Sequence, residues 1–295
     1  MFADSGEPHD NAARFARDLD FTPRDFERVR ELIYRRAGIV MADNKREMVY
    51  SRLAKRLRLL GMNRFSDYLA HLDATPDSQE WEAFTNALTT NLTAFFREAH
   101  HFPVLAEEIR QRGPGIRIWC AGASTGEEPY SLAMTVHETL GAAASQVRIV
   151  ATDIDTEALA KARQGIYTMD SVAKLSEERR RRFFLRGSGA RSGFARIRPE
   201  IAAMIDFRPL NLVSRSWALN GPFDIIFCRN VMIYFDKETQ TEILRRFASQ
   251  LKPDGLLFAG HSENFSFLNQ TFRLRGQTVY ALASSSSRAM PGHSR

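Results

Sequence analysis

The chain has 295 residues, of which 44% are hydrophobic and 26% are charged, as is usual for a globular protein with one large and one smaller domain. The formal net charge of +6 permits an acidic partner, such as nucleic acid, anionic lipid or an acidic protein surface. No apolar run is long enough to span a bilayer, no signal peptide is recognisable, and two cysteines make no disulfide framework, so the sequence predicts a cytoplasmic protein without membrane insertion.

The two ends of the chain differ in composition from the rest. Residues 1–20 are polar and mixed in charge, and residues 283–295 are rich in serine, so both are predicted to be disordered tails. Residues 21–95 instead show helical spacing of apolar side chains, with Thr22 before Pro23 as a helix start. This part of the chain is predicted to be a helical N-terminal domain.

A basic helix is predicted from about residue 44 to residue 60. It carries six basic residues against one acid, and Arg52, Lys55 and Arg56 share the face opposite its leucines. This face is either solvated or docks an acidic partner, and the sequence leaves both interpretations open.

Residues 81–112 also have a helical pattern, but Asn91 and Thr93 are poor helix formers. Their presence predicts a break whose polar side chains serve a function. The adjacent His100 and His101 have no neighbouring cysteine or carboxylate at a spacing typical of a metal site, so no metal is assigned.

The stretch 116–130 reads as a buried strand, a turn of small residues and the start of a helix. Gly122, Ser124 and Gly126 let backbone amides approach a ligand beyond the carboxyl end of the strand, where open α/β sheets bind their ligands. Glu127 and Glu128 follow at once and would repel a phosphate, so the turn favours a ligand with a cationic group, such as an amino acid moiety or a sulfonium. An ordinary strand-to-helix turn is the alternative.

Later strands place further polar residues at the same edge of the predicted sheet. Asp153 ends the strand after the turn, where an acid accepts hydrogen bonds from ribose hydroxyls, and Asp155 is predicted to be a helix N-cap. Arg229, Asn230 and Tyr234 follow the strand at 223–228.

The region from 186 to about 208 is predicted to be a small antiparallel sheet inserted into the α/β unit, because glycines separate short alternating segments. Residues 272–282 form a predicted terminal hairpin around Gly276 and Gln277. A helix-wrapped, mostly parallel sheet with a terminal antiparallel hairpin is common among S-adenosylmethionine methyltransferases.

Several motifs together resemble the CheR family of chemotaxis receptor glutamate methyltransferases. The resemblance extends from about Phe21 to Leu282 and leaves out only the tails. The motifs are residues 91–98 (NLTAFFRE), 123–131 (ASTGEEPYS), 151–155 (ATDID), 227–235 (FCRNVMIYF) and 251–264 (LKPDGLLFAGHSEN).

The resemblance implies an α/β fold of the class I S-adenosylmethionine methyltransferases, Rossmann-like, with an inserted β-subdomain and an all-helical N-terminal domain. The helical domain would span residues 21–95, and the methyltransferase domain would span 96–282 with the insertion at about 186–208. The implied activity is methyl transfer from S-adenosylmethionine to glutamates on the helical cytoplasmic bundle of chemoreceptors, with S-adenosylhomocysteine as product.

The resemblance also implies roles for single residues. Arg97 would pair with the methionine carboxylate of the cofactor, and either Glu128 or its neighbour Glu127 would hold the amino group together with Ala123. Asp153 would bind the ribose, and Tyr234 would lie near the methyl transfer path. The other expected contacts are Asn211 and Leu212 around the adenine and Asn91, Thr93, Arg229 and Asn230 along the pocket.

The sequence also indicates one further partner and one rival activity. Gly187, Gly189 and Gly193 match the spaced glycines of family members that bind a receptor C-terminal pentapeptide, and the strand after Gly193 is expected to be the edge that pairs with it; a glycine-rich turn without a ligand is the alternative. A nucleic-acid methyltransferase is the rival activity, but the stretch Asp/Asn-Pro-Pro-Tyr of amine methylation is missing at 229–232. No nucleic-acid partner is therefore expected, and the protein is expected to be a monomer.

Overall fold

The computed structural model describes residues 19–283, so both predicted tails lie almost entirely outside the described residues. The tail boundaries nevertheless need adjusting. Leu19 is buried in the core of the N-terminal domain, and the Ala283 amide donates to the Thr271 carbonyl at 2.9 Å. Across residues 19–283, every helix is too short or too polar to cross a lipid bilayer.

From residue 19 onward, four α-helices form the N-terminal domain around their own apolar core. The first begins with a capping box, because the Thr22 hydroxyl accepts the Asp25 amide at 3.1 Å and the Asp25 carboxylate accepts the Thr22 amide at 2.9 Å. It ends at Gly38, whose φ of 70° is left-handed. The four are α1 (Pro23–Ala37), α2 (Arg46–Leu59), α3 (Phe65–Ala74) and α4 (Glu80–Leu88).

The predicted break after the N-terminal helices is confirmed. Residues 89–100 leave helical geometry, and Phe96 and Glu98 have positive φ angles of 51° and 53°. The helices that follow are α5 (His101–Arg112), α6 (Glu127–Leu140), α7 (Thr156–Gln164), α8 (Met169–Val172), α9 (Glu177–Phe183), α10 (Pro199–Ala202) and α11 (Lys237–Gln250).

Between residues 113 and 283, ten strands build two sheets. They are β1 (Arg117–Ala121), β2 (Arg148–Asp153), β3 (Ile166–Thr168), β4 (Phe184–Arg186), β5 (Phe194–Ile197), β6 (Ile205–Pro209), β7 (Phe223–Cys228), β8 (Leu251–Ala259), β9 (Phe272–Gly276) and β10 (Val279–Leu282).

The main sheet has the order β6-β2-β1-β7-β8-β10-β9. Its first five strands are parallel, and β10 runs antiparallel to both β8 and β9. The Rossmann-like sheet and its terminal antiparallel hairpin are thus confirmed. The predicted turn at residues 252–255 is instead part of β8, where the pairing with β7 shifts register.

The small antiparallel sheet has the order β3-β5-β4 and therefore covers residues 166–197 rather than the predicted 186–208. The prediction extended too far because β6 alternates like its neighbours. In the structure Ile205 and Phe207 pair in parallel with Ile149 and Ala151, so β6 is an edge strand of the main sheet. The predicted start is also late, since β3 and β4 precede the glycine turn.

Candidate active site

A cavity of about 270 Å³ lies at the carboxyl ends of β1, β2 and β7. Parallel α/β sheets bind ligands at this edge, where the order of strands reverses around the first strand. The N-terminal domain supplies one wall through Ala37, Ile39 and Leu88. The cavity is therefore shared by both domains, and the 89–100 segment runs along it between them.

The turn after β1 approaches the cavity because glycine allows it. At Gly122, where φ is 100°, a Cβ would stand 2.4 Å from Val231 Cγ2. Its amide and that of Ala123 both donate to the Thr152 carbonyl, and the Ser124 amide donates to Asp153 Oδ2 at 2.7 Å. These amides are used within the protein, which agrees with the expectation that the turn does not cradle a phosphate.

Ala123 lies in the turn between Gly122 and Ser124, which both line the cavity. Its side chain is buried in the core, and its carbonyl accepts the Gly126 amide at 3.0 Å. A carbonyl oxygen has two lone pairs, so this bond leaves one for a ligand. The implied contact of Ala123 with the amino group of the cofactor stays a prediction.

Of the two glutamates that open α6, Glu128 faces the cavity. Its Oε2 lies 3.3 Å from Arg229 Nε, and Cys120 Sγ donates to its Oε1 at 3.3 Å. Burial raises the pKa of the Glu128 carboxyl, and the Arg229 charge opposes that rise. Glu127 accepts the Thr125 hydroxyl at 2.6 Å and is not part of the cavity wall. The geometry thus favours Glu128 as the contact for a cationic group.

Asp153 lines the cavity next to the turn. It accepts the amides of Ser124 and Asp155, and burial raises the pKa of its carboxyl. Asp155 is the N-cap of α7, with Oδ1 accepting the Ala158 amide at 2.9 Å, as predicted. Its other oxygen accepts Asn91 Nδ2 at 2.6 Å, which ties the 89–100 segment to the sheet.

Two arginines bring positive charge to the cavity. Arg97 donates to the Leu92 carbonyl at 2.9 Å, and Arg229, whose side chain is 1% exposed, donates to the Arg97 carbonyl. Within residues 19–283, Arg229 Nε and Nη1 have no hydrogen-bond partner. Its Nε nevertheless faces the carboxylates of Glu128 and Glu98 at 3.3 and 3.7 Å, so Arg229 is held by charges of the protein, and Arg97 is the arginine more available to a ligand carboxylate.

The remaining predicted residues also line the cavity. Asn91 Oδ1 accepts the Ser124 hydroxyl at 3.1 Å, and Asn211 Nδ2 donates to the Arg36 carbonyl at 2.8 Å. The Tyr234 carbonyl accepts the Val40 amide at 2.8 Å, so the N-terminal domain contacts this segment directly. The others in the wall are Thr93, Leu212 and Asn230.

Glu263 organises the site although the sequence reasoning did not single it out. It is 4% exposed and accepts four backbone amides, those of Asn230, Val231, Met232 and Gly260. These bonds hold the loop that carries Arg229 and Asn230. Asn230 has a positive φ of 59°. The sequence signal that could have indicated Glu263 is its place as an acid in the motif at 251–264, just after β8.

The predicted docking face of α2 is partly engaged inside the N-terminal domain. Arg56 pairs with the buried Glu80, and Arg52 donates to the carbonyls of Ala87 and Thr89. Lys55 is exposed to solvent. The two arginines thus also stabilise the packing of α2 on α4, so this face is not simply solvated, and a contact of the three residues with an acidic partner stays a prediction.

The three glycines of the small sheet lie away from the cavity lining. Gly189 and Gly193 have φ angles of 57° and 88°, and a Cβ on Gly187 would stand 2.0 Å from the Arg191 carbonyl oxygen. The turn geometry alone thus requires small residues. The strand after Gly193 is β5, which pairs on both sides, so the prediction that it is an edge is wrong; the edges are β3 and β4.

Comparisons with known proteins agree with this architecture. The family model "CheR methyltransferase, SAM binding domain" matches residues 91–281, and "CheR methyltransferase, all-alpha domain" matches residues 24–89. The chain is 58% identical to a chemotaxis protein methyltransferase of Klebsiella aerogenes over 92% of this chain and 93% of the relative. It is 59% identical to that of Escherichia coli (90% and 93%) and 51% identical to chemotaxis protein methyltransferase 2 of Pseudomonas aeruginosa (90% and 95%). The chain therefore belongs to the CheR family of chemotaxis methyltransferases, which use S-adenosylmethionine to methylate chemoreceptors.

Proposed function

We propose that this protein is a cytoplasmic, monomeric protein-glutamate O-methyltransferase that forms methyl esters on the helical cytoplasmic bundle of chemoreceptors. The observation that carries the proposal is one cavity that combines two arginines with two carboxylates, Glu128 and Asp153. Such a set fits the cofactor group by group: arginine for the carboxylate, Glu128 for the ammonium and Asp153 for ribose hydroxyls. Asn211 and Leu212 would lie around the adenine.

S-adenosylmethionine supplies a methyl group activated by a positively charged sulfur. The receptor glutamate is already ionised at neutral pH, so the enzyme needs no general base. Its residues instead orient the two reactants and exclude water, and effective molarity of this kind can supply about 7–11 kcal/mol of a barrier. Transfer would form a bond from the carboxylate oxygen to the methyl carbon and break the sulfur–methyl bond, whose electron pair would stay on sulfur, so that the charges of both reactants would be neutralised.

Tyr234 is proposed to orient the receptor carboxylate. It lines the cavity, and the contact of its carbonyl with Val40 fixes its backbone. A neutral hydroxyl holds a carboxylate less tightly than a guanidinium does, which suits a step that consumes the charge. Tyr234→Phe is expected to lower kcat while cofactor Kd stays within about twofold; an equal loss in both would contradict an orienting role.

The experiment that tests the proposal offers tritiated S-adenosylmethionine to receptor-enriched membranes and, in parallel, to nucleic acid. Base-labile counts on receptor protein are expected, because carboxyl methyl esters hydrolyse readily in base. Base-stable counts on nucleic acid would instead establish the rival activity. Receptors in which the candidate glutamates are replaced by alanine are the matched substrate control and should take up no label.

Docking of the receptor bundle is proposed to use the exposed surface of α2. Lys55 is exposed on this helix, and Arg52 and Arg56 hold the helix in place through their contacts with α4. A basic surface attracts an acidic partner and raises the rate of encounter. The two arginines therefore also support docking by holding the helix.

The small sheet is proposed to bind the C-terminal pentapeptide of certain receptors. Its outer face exposes Ile166, Leu185 and Phe194 around Arg196 of the central strand. An extended peptide can add to an open edge, and β4 is such an edge, with Arg186 exposed on it. A flexible tether gives a local concentration of about millimolar, so neighbouring receptors would be modified without new contacts at the cavity.

A further inference from the structure

Three ligand-type side chains converge at the start of α5. One oxygen or nitrogen from each of Glu98, His100 and His101 lies within 4.8 Å of the others. The positive φ of Glu98 turns its carboxylate toward the first turn of the helix. The three residues are close in sequence, but their side chains converge only because of the backbone turn at Glu98. Sequence spacing alone therefore did not reveal the cluster.

The tautomer of His101 leaves one ring nitrogen available. Nε2 lies 2.7 Å from the Gln277 carbonyl oxygen, which can only accept, so Nε2 carries the hydrogen. Nδ1 therefore presents a lone pair. It faces Glu98 Oε2 at 3.8 Å, and in the described part of the chain neither atom has a hydrogen-bond partner. A histidine anchored through its second nitrogen to a carbonyl is the usual arrangement of a metal ligand.

The distances suit a small cation. Two ligands bound at about 2.1 Å to a tetrahedral zinc ion stand about 3.4 Å apart. Glu98 Oε2 and His101 Nδ1 are 3.8 Å apart, so a small movement of the Glu98 side chain would bring both within bonding distance of one ion. His100 is exposed and supplies a third ligand from the solvent side. Two histidines and one glutamate form the protein ligand set of several zinc sites that keep a fourth position open.

The neighbouring Arg229 opposes a cation, because its Nε lies 3.7 Å from Glu98 Oε2. Glu128 is closer to the same Nε, at 3.3 Å. Arg229 therefore keeps a carboxylate partner when Glu98 binds elsewhere. His261, with Nδ1 at 3.3 Å from Glu98 Oε1, adds a further ligand-type group on the outer side.

We infer that Glu98, His100 and His101 form a binding site for a borderline transition-metal ion such as Zn²⁺, beside the cofactor cavity, two of whose wall residues, Arg229 and Asn230, contact Glu98. Imidazole and carboxylate ligands suit Zn²⁺ and Co²⁺ better than they suit Mg²⁺ or Ca²⁺. The proposal is independent of the proposed methyl transfer, since none of its ligands is assigned a role in that reaction.

The test titrates the full-length, chelator-treated protein with Co²⁺ and follows visible absorption, which is intense only for a low-coordinate site. One equivalent of Co²⁺ is expected to bind and to be displaced by Zn²⁺. Replacing a ligand should weaken Zn²⁺ binding by at least about 10- to 100-fold, the range seen even for outer groups. His100→Ala tests this with little risk to folding because the side chain is exposed.

His71→Ala, in the N-terminal domain, is the matched histidine control and should bind Co²⁺ like the wild type. Glu98→Gln keeps the size of the side chain and should abolish the visible band. Cofactor affinity and melting temperature of His100→Ala are measured alongside and are expected to be unchanged. A wild-type protein without a stoichiometric Co²⁺ band, or a His100→Ala variant with undiminished Zn²⁺ affinity, would overturn the inference.

Discussion

Arg97 and Arg229 reach the cavity from different parts of the chain, and they differ in how they are held. Arg229 is buried, and Glu98, Glu128 and the Arg97 carbonyl surround it. Arg97 is half-buried, and its guanidinium donates a hydrogen bond to the Leu92 carbonyl. Arg229 is thus part of the cavity framework, whereas Arg97 is the arginine whose charge is more available to a ligand.

Arg97→Ala is therefore expected to weaken S-adenosylmethionine binding. Loss of a hydrogen bond to a charged group costs roughly 1.5–3 kcal/mol, which corresponds to about 10- to 150-fold in Kd. Isothermal calorimetry measures the change, and Arg97→Lys should recover part of the affinity because it restores the charge without the planar fork. Unchanged affinity in the alanine variant would remove Arg97 from the cofactor contacts.

Glu128 is expected to make cofactor binding depend on pH. Burial raises the pKa of its carboxyl, so the protonated fraction grows as pH falls, starting above the usual value of 4.5. A neutral carboxyl attracts an ammonium group less than a carboxylate does, so cofactor affinity is expected to fall from neutral toward acidic pH.

Calorimetry across that pH range measures the slope. Glu128→Gln should bind more weakly at neutral pH and lose most of the pH dependence. Glu127→Gln is the matched control, because burial also raises the pKa of Glu127 but its side chain is bonded to Thr125 outside the cavity wall. A Glu127 variant that flattened the profile would show that the two roles have been assigned to the wrong residues.

Among the elements, local patterns were sufficient where a segment determines its own geometry. The strand, turn and helix at 116–130, the N-cap Asp155 and the break near Asn91 were all predictable, because propensity and capping act within a few residues. The boundaries of the small sheet were not predictable in this way. Whether β6 joins it depends on pairing with β2, and alternation of side chains cannot specify a partner strand.

The same limit applies to the candidate site. Its acids and arginines were found through motifs at strand ends and through the family resemblance. The role of Glu263 and the tautomer of His101 were not found, because they depend on backbone amides and carbonyls of distant segments. The α2 arginines show the converse case: a helical pattern places them on one face but does not reveal Glu80 beneath it.

The turn of the small sheet tests the tether proposal. Gly193→Trp is expected to abolish binding of a receptor tail peptide, because its bulky side chain would precede Phe194, a residue of the exposed face on which the peptide is proposed to bind. No atom lies within 4 Å of a Cβ placed there, but φ is 88°, so any L-residue also strains the turn. Gly193→Ala shares the strain without the bulk and is the matched control.

Fluorescence anisotropy with labelled tail peptides measures this binding. Cofactor affinity and activity on receptors without tails should persist in both variants, since the small sheet lies outside the cavity wall. Equal loss of peptide binding in the alanine and tryptophan variants would show that turn geometry alone is being measured. A wild-type protein with no affinity for native receptor tails would end the tether proposal.

At the scale of the whole molecule, the N-terminal domain does two things at once. It closes one wall of the cavity, and it contacts the methyltransferase domain through the Tyr34 hydroxyl on Asp236 at 2.7 Å and through Asn86 on Thr156 at 2.9 Å. On its helix α2, the side chain of Lys55 is exposed to solvent. Docking of a receptor on α2 would thus occur on the same rigid helical unit that borders the cofactor.

Lys55→Glu should raise the KM for receptors without changing cofactor Kd, because it reverses a charge at the proposed docking surface and leaves the cavity intact. Added salt should raise the wild-type KM in the same direction, since exposed charges are screened beyond about 8–10 Å at physiological ionic strength. Reversal of Arg56 is a poor test, because it would leave Glu80 without its partner and destabilise the domain.

Lys174→Glu is the matched control. Lys174 is exposed between α8 and α9, so this variant carries the same change in net charge and should leave the KM unchanged. If Lys55→Glu methylates receptors with the wild-type KM, or if Lys174→Glu is equally impaired, only overall charge acts and α2 is not the docking surface.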